Sequence, residues 1–240
     1  MEKKVIINSD KHNIELISNG CDSPQKIILC LHGFTGNRYG DGYKKLCEGL
    51  PECFVCSFDS AGHGNSEVNS LDMRMELITK EILDVLNYLN MTYENVPIVI
   101  FATSYGAYRA MIALQSGELK NVKQIVFVSP AFKMLNILEK WKEFNYNELT
   151  KDAIVPMKRS QNRYLKYAFL EDLNNNSVYN YSYTQKIPIK IYLADKDFVP
   201  KEDTIEFSKI YPCDIEYIID EHCPQNETNW QNIIEYLRGI

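Results

Sequence analysis

The 240-residue chain holds four histidines, at positions 12, 32, 63 and 222. That scarcity sharpens any search for acid–base chemistry. One serine stands out beside them. In "VIFATSYGAYRA", Val99 to Ala110, an apolar run closes on small residues, then Ser104, then Gly106. A serine hydroxyl is a weak nucleophile until a base takes its proton. The usual base is a histidine, which needs a carboxylate to orient it and to stabilise its charged form. A serine at this place can also be a plain helix N-cap, so the partners decide. His222, in "DEHCPQNE", follows the last apolar run, and "ADKDFVP", holding Asp195 and Asp197, follows the run before it.

The elements that must position these residues are legible as patterns. Lys4 to Asn8 and Asn13 to Ser18 alternate as short strands around "SDKHN", a hairpin turn that contains His12. "KIILCLHGF", "ECFVCSFD", "VPIVIFAT", "VKQIVFVSP" and "IPIKIYLAD" are continuous apolar strands, and "DIEYIID" closes the set. Between them, Ile78, Ile82, Val85, Leu86 and Leu89 recur at helical spacing within Asp72 to Asn90. Tyr105 to Gln115 reads as a helix that stops at Gly117, and another lies near Asp203 to Ile210. A last helix carries Trp230, Ile233, Ile234 and Leu237 on one side.

Apolar strands alternating with helices predict an α/β fold, a mostly parallel sheet with helices on both faces. Ligands of such sheets bind beyond the carboxyl ends of the strands. Ser104, Asp197 and His222 all fall there, and His12 falls at the opposite end. Residues 131–185, rich in Asn, Tyr and Lys, lose the rhythm. They are expected to form a lid inserted over the strand ends of a core made of residues 1–130 and 186–240. Trp141, Phe144, Tyr146, Tyr164 and Tyr167 are the aromatic candidates there, with Trp141 and Tyr164 expected to line a substrate pocket.

The net charge of −6 and the lack of a long basic cluster argue against nucleic acid as a partner. No apolar run approaches the ~20 residues that span a bilayer, and the start has no signal-like apolar stretch, so the expected location is the cytoplasm. Cys53 and Cys56 have metal-ligand spacing, but they lie in an apolar run with no second pair among the seven cysteines. Reduced, mostly buried thiols and no metal site are expected. A homo-oligomer is compatible with this composition.

Taken in order, Ser104, Asp197 and His222 resemble the nucleophile–acid–base order of the α/β-hydrolase family. "ATSYG" resembles that family's G-x-S-x-G nucleophile elbow, with Ala102 for the first glycine. "HGFTG", residues 32 to 36, resembles its oxyanion loop, and "DSAGHGNS", residues 59 to 66, its D-x-x-G-H-G-x-S segment. "ADKDFVP" resembles G-x-x-D-x-x-V-P with Ala194 for glycine and one residue missing before Val199-Pro200. Counted from Ala194 the acid is Asp197, and Asp195 is left to brace the turn. The resemblance implies that His32 holds the loop presenting the backbone N–H of Phe34. That N–H and the one of Tyr105 would form the oxyanion hole, and His63 would brace its own loop.

The "HGFTGNR" loop, the short chain and the compact insertion most resemble the cinnamoyl (feruloyl) esterase and monoacylglycerol-lipase-like branch. The resemblance implies a serine carboxylic-ester hydrolase that forms an acyl-enzyme on small ester substrates, cinnamoyl, feruloyl or short acyl, without cofactor or metal. A serine at the elbow argues against dehalogenase or epoxide-hydrolase chemistry, which resembling folds run with an aspartate. An acyl thioesterase or a monoacylglycerol lipase would use the same residues. A peptidase is a further alternative, against which the lack of a propeller-sized extra domain in this sequence counts. A ligand-binding receptor built on the fold is the alternative from a different class.

Overall fold

Strands buried on both faces lose the polar alternation of half-exposed strands. The computed structural model follows that rule. It describes residues 2–9, 12–117, 119–141, 154–156, 163–179 and 183–240. Strands β3 (Ile27–Leu31) and β4 (Phe54–Phe58) are buried at every residue, and β5 (Ile98–Thr103) at every residue except its last. Each large apolar side chain so buried contributes about 1.5–3 kcal/mol before entropy is counted.

These strands join β1 (Lys3–Ser9), β2 (His12–Gly20), β6 (Val122–Val128), β9 (Ile189–Lys196) and β10 (Cys213–Glu221) in one sheet of order β1-β2-β4-β3-β5-β6-β9-β10. β1 and β2 pair as the expected antiparallel hairpin, with Ser9 opposite His12. Leu16 lies opposite Phe58, however, so the turn and His12 sit at the carboxyl end of β4 and not at the opposite end of the sheet. β2 is antiparallel to β4 as well, and every pair from β4 to β10 is parallel. The chain leaves β3 toward β4, then returns to the other side of β3 as β5. This reversal opens a crevice at the carboxyl ends of β3 and β5.

Helices cover both faces. On one side, α2 (Met75–Thr92), α3 (Tyr105–Ser116) and α6 (Lys201–Ile210) bury Ile78, Ala107 and Phe207 in the larger core. On the other, α1 (Asp41–Gly49) and α7 (Glu227–Gly239) bury Leu46, Trp230, Ile233 and Leu237. The α1 helix was not foreseen from the sequence. It buries only Tyr43 and Leu46, too few for a readable stripe, and Gly42 interrupts its first turn. That glycine has a packing reason: a Cβ there would meet the Phe101 ring at 2.7 Å, so α1 rests directly on β5.

Between β6 and β9 the described chain forms α4 (Met134–Lys140), a two-stranded pair of β7 (Ile154–Pro156) and β8 (Tyr164–Lys166), and α5 (Tyr167–Asn175). None of these joins the large sheet. Asp172 of α5 receives Arg74 through Nε and Nη2, both at 2.7 Å, and the Met75 amide at 2.9 Å. A carboxylate on the first amide of α2 also suits that helix's dipole. No helix among the described residues is long and apolar enough to cross a membrane.

Candidate active site

Ser104 occupies the single residue between β5 and α3, with φ 52° and ψ −119°. A non-glycine residue in this region costs on the order of 1–3 kcal/mol and persists only where its surroundings fix it. Here the Ser104 amide donates to the Val128 carbonyl at 3.1 Å, while its own carbonyl accepts from Ala107 at 3.0 Å and Ala131 at 3.1 Å. The turn also demands small neighbours. A Cβ on Gly106 would stand 2.3 Å from the Leu31 carbonyl oxygen, so only glycine lets α3 come this close to β3. Ala102, the departure from the family's first glycine, is fully buried in β5.

His222 lies in the loop after β10. Its Nε2 is 2.9 Å from Ser104 Oγ, and its Nδ1 is 2.6 Å from Asp197 Oδ1. A carboxylate facing Nδ1 keeps the proton there, which leaves Nε2 free to accept the serine's proton. The Asp197 side chain is fully buried, and its Oδ1 also accepts the Val199 amide at 2.8 Å. Asp195 points elsewhere and accepts the Asp220 amide at 2.8 Å. Its brace therefore reaches across to β10 instead of closing its own turn. Asp220 in turn accepts from the amides of Glu221, Gln225 and Asn226 and from Asn229 Nδ2. Burial pushes the Asp220 carboxyl up, but the Gln225 amide and the other donors outweigh it and hold it below the usual range. The loop that carries His222 is thus anchored at its start by Asp195 and gathered along its length by Asp220.

The loop after β3 meets Ser104 from the other side, where a Cβ on Gly33 would be 3.3 Å from Ser104 Cβ. The backbone N–H groups of Phe34 and Tyr105 donate to no acceptor among the described residues. His32 holds this loop: its Nδ1–H donates to the Gly33 carbonyl at 2.8 Å, and its Nε2 accepts the Ser60 amide at 3.2 Å. Burial, with Arg109 and His63 nearby, pushes the His32 imidazole well below its ordinary value, so it stays neutral and can accept. His63 donates from Nδ1 to the Ala61 carbonyl at 2.9 Å, and burial with Arg109 lowers it to about 3. Neither ring contacts the Ser104 hydroxyl.

A cavity of about 310 Å³ opens on Ser104 and His222. Met134, Ile137 and Trp141 line one wall, and Phe198, whose ring sits 4.2 Å from the His222 ring, lines another. Trp141, expected to line a substrate pocket, lies on the wall of this cavity. Tyr164 is not among the lining residues: it lies on β8, 40% exposed, with its amide on Ser70 Oγ at 3.1 Å. Along β8 Leu165 takes the buried face, which leaves Tyr164 and Lys166 on the exposed one. Phe144 and Tyr146 lie outside the described residues, and Tyr167 is partly buried against the core.

Three residues escaped the sequence reading. Phe198 stood in plain view between Asp197 and Val199. Glu81 is fully buried in α2, where it accepts from Ser60 Oγ and the Ala61 amide, both at 2.9 Å, and pairs with His12 Nε2 at 2.8 Å. Arg109 is fully buried in α3 and donates to the His32 carbonyl at 2.6 Å. The available signal was a charge on the apolar stripe of each helix. All seven cysteines are free, and no group of metal-binding side chains occurs among the described residues.

A strained serine after the central strand, beneath a loop from β3 and beside a histidine after the last strand, defines an α/β hydrolase. The family model described as serine aminopeptidase, S33, matches residues 22–206, and the chain belongs to that family. Est1E from Butyrivibrio proteoclasticus, solved with ferulic acid bound, is similar in fold, with a TM-score of 0.80, 22% identity and 98% of each chain covered. So is alpha/beta hydrolase domain-containing protein 10 from mouse, with a TM-score of 0.77, 14% identity, 99% of this chain and 97% of that one. An esterase from Pyrococcus furiosus matches with a TM-score of 0.70, 18% identity, 99% of this chain and 90% of that one. No curated protein sequence matches the chain.

Proposed function

We propose that the protein is a serine carboxylic-ester hydrolase. The observation that carries this reading is the unbroken line from Ser104 Oγ through the His222 imidazole to Asp197 at hydrogen-bond distances. In the proposed reaction Ser104 Oγ attacks the acyl carbonyl as His222 Nε2 takes its proton. Asp197 holds the imidazole in the required tautomer and stabilises the imidazolium. The negative oxygen of the tetrahedral intermediate lies against the Phe34 and Tyr105 amides, an arrangement in which each donor is worth roughly 10²–10³ in rate. His222 then protonates the departing alcohol, and a water deprotonated by the same nitrogen releases the acid. No step uses a cofactor or a metal.

Residues 131–185 act in this reading as the lid, with α4 and Trp141 shaping the acyl or alcohol side of the cavity. The mostly apolar wall of Met134, Ile137, Trp141 and Phe198 suits a short acyl or a cinnamoyl-type group. Est1E, a neighbour in fold, binds ferulic acid. The seven free thiols suit a cytoplasmic setting, although only Cys30, Cys53 and Cys56 are buried, fewer than the sequence led one to expect.

The family description favours a second reading, an aminopeptidase. Such an enzyme must hold a free ammonium group, and Asp41 is the one carboxylate among the described residues that line the cavity. Turnover of p-nitrophenyl esters of rising chain length, methyl ferulate, a monoacylglycerol, an acyl thioester and an aminoacyl anilide separates the possibilities. Multiple turnover of an oxyester above the anilide and thioester is expected. Preference for the anilide or the thioester would move the assignment, and a single bound or covalent event without turnover would mark a receptor.

A further inference from the structure

Arg109 is a charged side chain with no exposed surface, set in a helix face otherwise made of Ala, Tyr, Met, Ile and Leu. Its Nη2 donates to the His32 carbonyl at 2.6 Å. Its guanidinium lies 5.2 Å from the centre of the Tyr105 ring. Nε and Nη1 have no hydrogen-bond partner among the described residues. Burial pulls the guanidinium below its ordinary value, with Tyr105 and Glu81 opposing. Apolar side chains of similar volume in such places are often neutral or stabilising, so packing alone does not account for an arginine here.

Its contacts are specific. Gly106 lies against the same loop, where a Cβ would be 3.0 Å from the His32 carbonyl oxygen, so α3 is drawn onto the end of β3 at two successive points. The tethered carbonyl shares its peptide with the Gly33 N–H, and the peptide that follows carries the Phe34 N–H. The ring under the guanidinium belongs to the residue that supplies the other amide. One buried cation therefore lies against both segments that carry the proposed oxyanion-hole amides.

We propose that Arg109 is a positioning residue that fixes the His32 carbonyl and so aims the Phe34 N–H at the oxygen that becomes negative beside Ser104. This inference rests on the ester-hydrolase reading. It assigns Arg109 no contact with substrate. A displaced donor costs the transition state more than the ground state.

The test compares wild type, Arg109→Met, Arg109→Lys and Ser104→Ala on one p-nitrophenyl ester. It adds inhibition by a trifluoromethyl ketone, which forms an oxyanion, and by the product acid. Arg109→Met should lose roughly tenfold to a hundredfold in kcat with KM changed less than about twofold. Ketone affinity should fall in parallel, product-acid affinity should hold, and Arg109→Lys should recover part of the loss. Amide hydrogen exchange over residues 31–36 should quicken in Arg109→Met while β9 and β10 keep their protection. A variant that melts lower with unchanged kcat and unchanged exchange there overturns the proposal, as does failure of both variants to fold. A fully active Ser104→Ala would instead strike the ester-hydrolase reading, and the exchange result would still judge Arg109.

Discussion

Asp197 Oδ1 stands 2.6 Å from His222 Nδ1, whereas Asp195, on the same strand end, gives its carboxylate to the Asp220 amide at 2.8 Å. Two aspartates so close in sequence thus do different jobs, one fixing the end of β10 and the other the His222 ring. Asp197→Asn should stay folded and lose on the order of 10⁴ in turnover, because an amide facing Nδ1 favours the wrong imidazole tautomer. Asp195→Asn should keep most activity and lose on the order of 1 kcal/mol of stability. Steady-state kinetics and thermal melts of the two variants check this. The opposite pattern would move the acid to Asp195.

Trp141 lines the cavity and Tyr164 does not. Trp141→Ala should therefore reorder the preference among p-nitrophenyl esters and methyl ferulate. Tyr164→Ala should leave the order unchanged and shift kcat/KM by less than about twofold, since it alters a side chain outside the cavity. Substrate ranking, not absolute rate, is the quantity to compare.

The histidine pair beside the loop after β3, His32 and His63, sets a pH dependence of stability. Burial, with Arg109, lowers His63 from 6.5 to about 3 in the folded protein. Between those values the unfolded chain holds a proton that the folded one does not, so stability falls as the pH falls. The slope from this residue is up to about 1.4 kcal/mol per pH unit. His32 is lowered in the same sense. His12 is raised by its bond to Glu81, against burial, and has the opposite sign. His63→Phe should lose stability at pH 7, because the Ala61 carbonyl loses its donor, yet show a shallower decline between about pH 6 and pH 4. Urea unfolding across that range reads the slope directly. An unchanged slope would mean that His63 titrates normally.

Much of this was legible in the sequence for physical reasons. Strands such as Ile98–Thr103 are buried on both faces and read as continuous apolar runs. Of the four histidines, His32, His63 and His222 follow strands at the ligand-binding end of the sheet, and the family's order of residues singled out His222 as the base. What stayed hidden depends on partners distant in sequence. Glu81 looks like any helix acid until Ser60, Ala61 and His12 are brought to it. Arg109 gains meaning only when β3 delivers the His32 carbonyl. Helix α1 buries too little to show a period, and Tyr164 could not be placed without knowing that it falls on the exposed face of β8.

The central claim is that Ser104 carries the acyl group. Incubation with a fluorophosphonate, followed by intact-mass and peptide mass spectrometry, measures this beside ester turnover of Ser104→Ala. The account predicts one adduct, on Ser104, in the wild type, none in Ser104→Ala, and a turnover loss of at least about 10⁴ with the fold retained. An adduct on another serine, or a Ser104→Ala protein that still hydrolyses the ester at a comparable rate, would contradict it.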